Sequence, residues 1–144
     1  MDIDYIRLAK KLASESCCVR RKVGAVLVTQ NQKVVIKAVN NPMPYKTICS
    51  ELGCLRQQLH IQSGELPELC RCKHCEKSLI EQCNVLGIST KGATIYTTLF
   101  PCASCTRILI DAEIQELIYI ESYDDNRGLE QFRQANIVVH HFIT

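Results

Sequence analysis

Apolar positions along this chain follow three kinds of spacing, and each predicts an element. Ile3, Ile6, Leu8, Ala9, Leu12 and Ala13 recur at helical intervals, with Arg7, Lys10 and Lys11 on the other side. That spacing predicts an amphipathic first helix over 3–13 that covers a sheet. Val23-Gly24-Ala25-Val26-Leu27-Val28 and Val34-Val35-Ile36-Lys37-Ala38-Val39 are β-rich runs separated by the polar Thr29-Gln30-Asn31-Gln32. They predict a hairpin, which Asn40-Asn41-Pro42-Met43-Pro44 then interrupts. Leu79, Ile80, Cys83 and Leu86 return to a helical period, and Ala93–Leu99 reads as a strand. A helix over 102–112, a buried-type strand at 117–120, a short helix near 127–135 and a last strand over 137–142 complete the pattern. Strands alternating with helices after residue 73 imply an α/β sheet with parallel pairs and helices on both faces.

Residues 45–72 have no such period. They contain Cys49, Cys54, Cys70 and Cys72 and a Ser63-Gly64 turn. Loops of that length inside a compact domain are functional or tied down, and the cysteines favour tying down. The expected organisation is one domain over 1–144 with a Cys-rich insertion at about 45–72. A length of 144 residues suits a single domain with a real core. The net charge of +2 carries no basic footprint, and zero Trp with three Phe offer little stacking surface, so a nucleic-acid partner is not expected. No apolar run approaches the ~20 residues a membrane helix needs. Early acids and the lack of an apolar stretch near Met1 argue against a secretory signal. Ten cysteines in such a chain point to zinc and reduced thiols in a cytoplasmic setting rather than to disulfides.

The chemistry concentrates between Cys70 and Cys105. His74-Cys75-Glu76 opens one predicted helix, and Pro101-Cys102-Ala103-Ser104-Cys105 opens the next, with a strand between. Cys102 and Cys105, three apart, share one helix face. At a first turn they meet the positive end of the helix dipole, which favours the thiolate. Pro101 suits such a helix start because it has no N–H to leave unpaired. Two thiolates and the His74 imidazole give zinc three protein ligands with a fourth position open to water. Glu76, two residues on, could then move that water's proton. A closed structural zinc with Cys72 or Cys75 as fourth ligand is the alternative, and it leaves Glu76 without a role.

With these motifs on the page, the chain resembles the deoxycytidylate (dCMP) deaminases of the zinc-dependent cytidine deaminase superfamily. The likeness extends over essentially the whole chain, including Cys18–Val26, Cys49–Arg56, Ser63-Gly64-Glu65, Gly92–Thr98 and Glu121-Ser122-Tyr123. It implies a three-layer α/β/α sandwich around a five-stranded mixed sheet. It also implies hydrolysis of the 4-amino group of dCMP to give dUMP and ammonia. Assembly as a hexamer and regulation by deoxynucleoside triphosphates such as dCTP and dTTP would follow. His74, Cys102 and Cys105 would hold catalytic zinc, with Glu76 as proton shuttle. Asn40 would contact the deoxyribose, and Arg20 and Tyr123 the 5′-phosphate, although Arg20 reads equally as a solvated loop charge and Tyr123 as a surface aromatic. The chain departs from the family pattern in having Cys75 where Ala is usual, Ala38-Val39-Asn40-Asn41 for Gly-Tyr-Asn-Gly, and Glu113 and Gln115 for a Gly and a Lys.

A second, structural zinc is expected on Cys18, Cys49, Cys54 and Cys70. Four thiols form a closed tetrahedral set, and the resemblance implies the same four positions. Cys17 or Cys72 could replace one of them. Two other functions stay open at this point: deamination of a base in tRNA or single-stranded nucleic acid, and a zinc-stapled regulatory module descended from an enzyme.

Overall fold

The computed structural model describes residues 2–16, 22–42, 72–122 and 127–143. Helix α1 spans Asp2–Ser14, with Ile6 and Ala9 buried and Asp2 and Asp4 in its first turn, where acidic side chains complement the helix dipole. Strands β1 (Gly24–Val28) and β2 (Val35–Val39) form the expected hairpin, registered Gly24↔Val39 to Val28↔Val35. Two short segments, β3 (Asn41–Pro42) and β4 (Cys72–Lys73), pair antiparallel beside it. Then follow α2 (Cys75–Leu86), β5 (Thr94–Leu99), α3 (Ala103–Asp111), β6 (Glu116–Glu121), α4 (Arg127–Gln134) and β7 (Val138–His141).

The main sheet has five strands in the order β2-β1-β5-β6-β7. β1 runs antiparallel to β2 and β5, whereas β5–β6 and β6–β7 are parallel. The sheet is therefore mixed, as expected. The parallel pairs are connected by segments that carry α3 and α4, since a parallel connection needs a crossover long enough for a helix.

Alternation along the strands sends side chains to two cores. Ala25, Leu27, Ile36, Ala38, Ile95 and Leu117 pack with Leu79 and Cys83 of α2, Leu109 of α3 and Phe132 of α4. Val26, Val28, Tyr96 and Ile118 pack against Ile6 and Ala9 of α1 on the opposite face. β1 is buried along its whole length for this reason. Gly24 makes the α1 contact possible: a Cβ there would lie 2.2 Å from the Ala9 carbonyl oxygen and 2.5 Å from the Ala13 nitrogen. The Tyr96 hydroxyl donates to Asp2 Oδ1 at 2.6 Å and pins the helix start to β5. Among the described residues, no helix is long and apolar enough to cross a membrane.

Candidate metal centre and its buried carboxylate

Helices α2 and α3 present their N-termini to one another. His74 is the N-cap of α2 (φ −68°, ψ 149°) and Cys102 the N-cap of α3 (φ −69°, ψ 171°), and neither side chain makes a capping hydrogen bond. Both are turned instead toward a common point. His74 Nδ1 lies 3.5 Å from Cys102 Sγ and 3.4 Å from Cys105 Sγ. The three ligand atoms all fall within 4.8 Å of one another, and among the described residues this is the group that could hold a metal ion.

Zinc–sulfur bonds of about 2.3 Å and zinc–nitrogen bonds of about 2.0–2.1 Å, at tetrahedral angles, separate N and S by about 3.6 Å. The observed separations match ligands that share one ion. Pro101 precedes the cap rather than occupying the first helical position. There Pro101 fixes the chain's approach from β5 through its locked φ.

The sulfurs are electrostatically unequal. A hydrogen bond from Cys105 holds the Cys102 thiol down at about 3 against the opposing effect of burial, with His74 and Ser104 helping. The Ser104 hydroxyl lies 3.3 Å from Cys102 Sγ. Cys105 is pushed upward by the same sulfur–sulfur hydrogen bond and by burial. A divalent cation bound here would displace the thiol protons.

Glu76 occupies the first turn of α2 and is 4% exposed. Burial raises its carboxyl above the ordinary range, opposed by a backbone hydrogen bond, the His74 charge and a hydrogen bond with Cys105. A carboxylate held dry against a candidate metal ligand is placed to move protons.

Cys75 is not a fourth ligand. Its thiol, 1% exposed, donates to the Val23 carbonyl at 3.1 Å, and burial raises its pKa. The structure thus brings together His74, Glu76, Cys102 and Cys105. Asn40, just after β2, is 7% exposed, and it is linked to the start of α2 through the Val23 main chain, which contacts both Asn40 and Cys75. Arg20, Tyr123, Cys18, Cys49, Cys54, Cys70 and Cys17 lie outside the described residues, and of Cys72 only the backbone is described. Ser16 escaped the sequence reading. It contacts Asn40, but a serine between a helix end and a cysteine pair carries no periodic signal.

The fold and the His/Cys/Cys/Glu constellation define a zinc nucleobase-deaminase type of centre, and comparison with known proteins gives the family. Residues 1–121 match the model of the cytidine and deoxycytidylate deaminase zinc-binding region, and the chain belongs to that family. It is 33% identical over 129 residues to ComE operon protein 2 of Bacillus subtilis, covering 89% of this chain and 64% of that protein. It is 28% identical over 144 residues to deoxycytidylate deaminase of Saccharomyces cerevisiae, covering 98% of this chain and 44% of that one. The chain thus spans less than two thirds of these two relatives. Its fold is similar to that of the dCMP deaminase of cyanophage S-TIM5 solved with dCMP and dUMP, with a TM-score of 0.73 at 21% identity, covering 97% of this chain and 95% of that one.

Proposed function

We propose that this chain catalyses zinc-dependent hydrolytic deamination of a pyrimidine deoxynucleotide, dCMP to dUMP and ammonia. The observation that carries the reading is the buried Glu76 carboxylate hydrogen-bonded to Cys105, one of three residues whose ligand atoms stand at zinc-sharing distances. His74, Cys102 and Cys105 would hold zinc, which would supply the Lewis acidity that makes water nucleophilic near neutral pH. Glu76 takes one proton of the attacking water as its oxygen adds to C4 of the pyrimidine, and delivers that proton to N3. It then carries the proton of the new C4 hydroxyl to the 4-amino group, so that the C4–N bond breaks, ammonia leaves and the C4 carbonyl forms. Relatives named deoxycytidylate deaminase support dCMP as the substrate.

Recognition falls to Asn40 at the deoxyribose and to Arg20 and Tyr123 at the 5′-phosphate, where a guanidinium can bind two oxygens at once. A second, structural zinc on Cys18, Cys49, Cys54 and Cys70 would secure the insertion at about 45–72 within a single deaminase domain. A cytoplasmic hexamer that responds to dCTP and dTTP completes the reading.

Ammonia release should be measured from dCMP beside dCTP, deoxycytidine and a tRNA substrate. Preference for dCMP is expected. Turnover of tRNA alone, or of none of the four, would overturn the assignment. Metal analysis of protein purified without chelator should find two zinc ions per chain, and a single ion would remove the structural site from the proposal.

A further inference from the structure

The main chain of Val23 is held on both of its polar groups. Its N–H donates to Asn40 Oδ1 at 2.8 Å. Its carbonyl accepts from the Asn40 N–H at 3.1 Å and from the Cys75 thiol, also at 3.1 Å. The residue just before β1 therefore touches both Asn40 and the helix that carries His74 and Glu76.

Ser16 completes the arrangement from the other side. It follows α1 and is 4% exposed. Its hydroxyl lies 2.6 Å from Asn40 Oδ1 and 2.7 Å from the Asn40 main-chain oxygen. Both are acceptors, so the hydroxyl is the donor and its single proton is shared between them. The Val23 N–H, a donor without ambiguity, requires that the amide atom facing it be oxygen. Asn40 is thus oriented with its carbonyl end against two protein donors, and its amino end turned the opposite way.

We propose that Ser16 is a positioning residue for sugar recognition: it clips the Asn40 amide to Asn40's own backbone, so that the N–H₂ end is presented to an oxygen of the substrate's sugar. The inference rests on the Asn40 assignment under Proposed function and assigns how that side chain is aimed. Without the Ser16 hydroxyl, Oδ1 keeps the Val23 N–H, but the amide loses one of the donors described at that oxygen. The loss falls on binding rather than on the chemical step, because Ser16 touches neither Glu76 nor the metal ligands in the hydrogen bonds described.

The test is a double-mutant cycle on the zinc-loaded full chain, with Ser16→Ala, Asn40→Ala and the pair. Ser16→Ala should raise KM for dCMP about threefold to tenfold, the range of one hydrogen bond, with kcat changed less than about twofold. In the Asn40→Ala background it should add nothing further. The dCMP dissociation constant by calorimetry, measured in Glu76→Gln protein, should move by the same factor. Ser16→Thr, which keeps the hydroxyl, should recover most of the affinity. Ser16→Cys keeps the volume with a weak donor and should resemble Ser16→Ala, which covers the case in which the alanine variant folds poorly. An unchanged KM in both Ser16→Ala and Ser16→Cys, or an equal rise with Asn40 already removed, overturns the inference while dCMP turnover by the unmutated chain stands. Absence of dCMP turnover in the unmutated chain overturns the functional reading and this inference together.

Discussion

Helices α2 and α3 both begin at an N-cap residue with nearly the same backbone angles, and in both the cap side chain makes no capping hydrogen bond. A Ser, Thr, Asp or Asn cap contributes roughly 0.5–2 kcal/mol, and both helix starts go without one. What they deliver in return differs. The first turn of α2 is sunk into the core, with Cys75 at 1% and Glu76 at 4% exposure. The first turn of α3 leaves Ala103 and Ser104 exposed while Cys105 turns inward. The buried start carries Glu76, the proposed proton carrier, whose basicity burial raises. The more open start carries sulfur, whose negative charge a cation and the helix dipole can both stabilise.

This contrast can be broken from either side. The largest effect is expected from Cys105→Ala on α3, which should lower the zinc content by one ion per chain and abolish turnover, as read by metal analysis and ammonia release. Glu76→Gln on α2 should keep that zinc and lose turnover by about 10²–10⁴-fold or more; near-normal activity would remove the acid–base role from the buried helix start. Cys75→Ala should leave zinc in place and lower the urea midpoint by the equivalent of about 0.5–1.5 kcal/mol, one hydrogen bond. Cys75→Ser, which retains a donor for Val23, should recover most of that loss. An equal cost for both would mean that packing, not the contact to Val23, holds the start of α2.

The smallest effect lies at the far end of α3. Glu113 adopts φ 60° in the turn into β6, a left-handed conformation that costs a non-glycine residue about 1–2 kcal/mol. Its ion pair with Lys91, 3.9 Å long and largely exposed, contributes little against that. Glu113→Gly should therefore raise Tm modestly, after the entropy cost of a new glycine of about 0.5–1 kcal/mol. A fall in Tm would show that the turn is not strained by its side chain.

The fold was legible wherever burial imposes a period. β1, β5 and β6 are apolar on both faces because helices lie on both sides, and α1 shows a stripe because only one side of it meets the sheet. His74-x-Glu76 and Pro101-Cys102-x-x-Cys105 were legible because ligand chemistry at a helix start fixes short spacings. The Ser16–Asn40 contact was not, since its two residues meet only after α1 and the hairpin have packed. Nor was the thiol of Cys75, whose partner is a main-chain carbonyl that no side-chain pattern announces.

The register of β1 on β5 has a kinetic consequence. Val28 pairs with Thr94, so this ladder closes only when the chain from 28 to 94 has been brought back on itself, an ordering cost that grows with loop length and slows folding. The three candidate metal ligands all lie between 74 and 105, on neighbouring helices that flank β5. Asn40, Ser16 and Val23 lie on the other side of that closure. Refolding should therefore assemble the candidate cation site early and the Asn40 contacts late. Stopped-flow zinc uptake is expected to precede the protection of β1 amides from hydrogen exchange, so that the ion is in place before Asn40 is held by Val23 and Ser16.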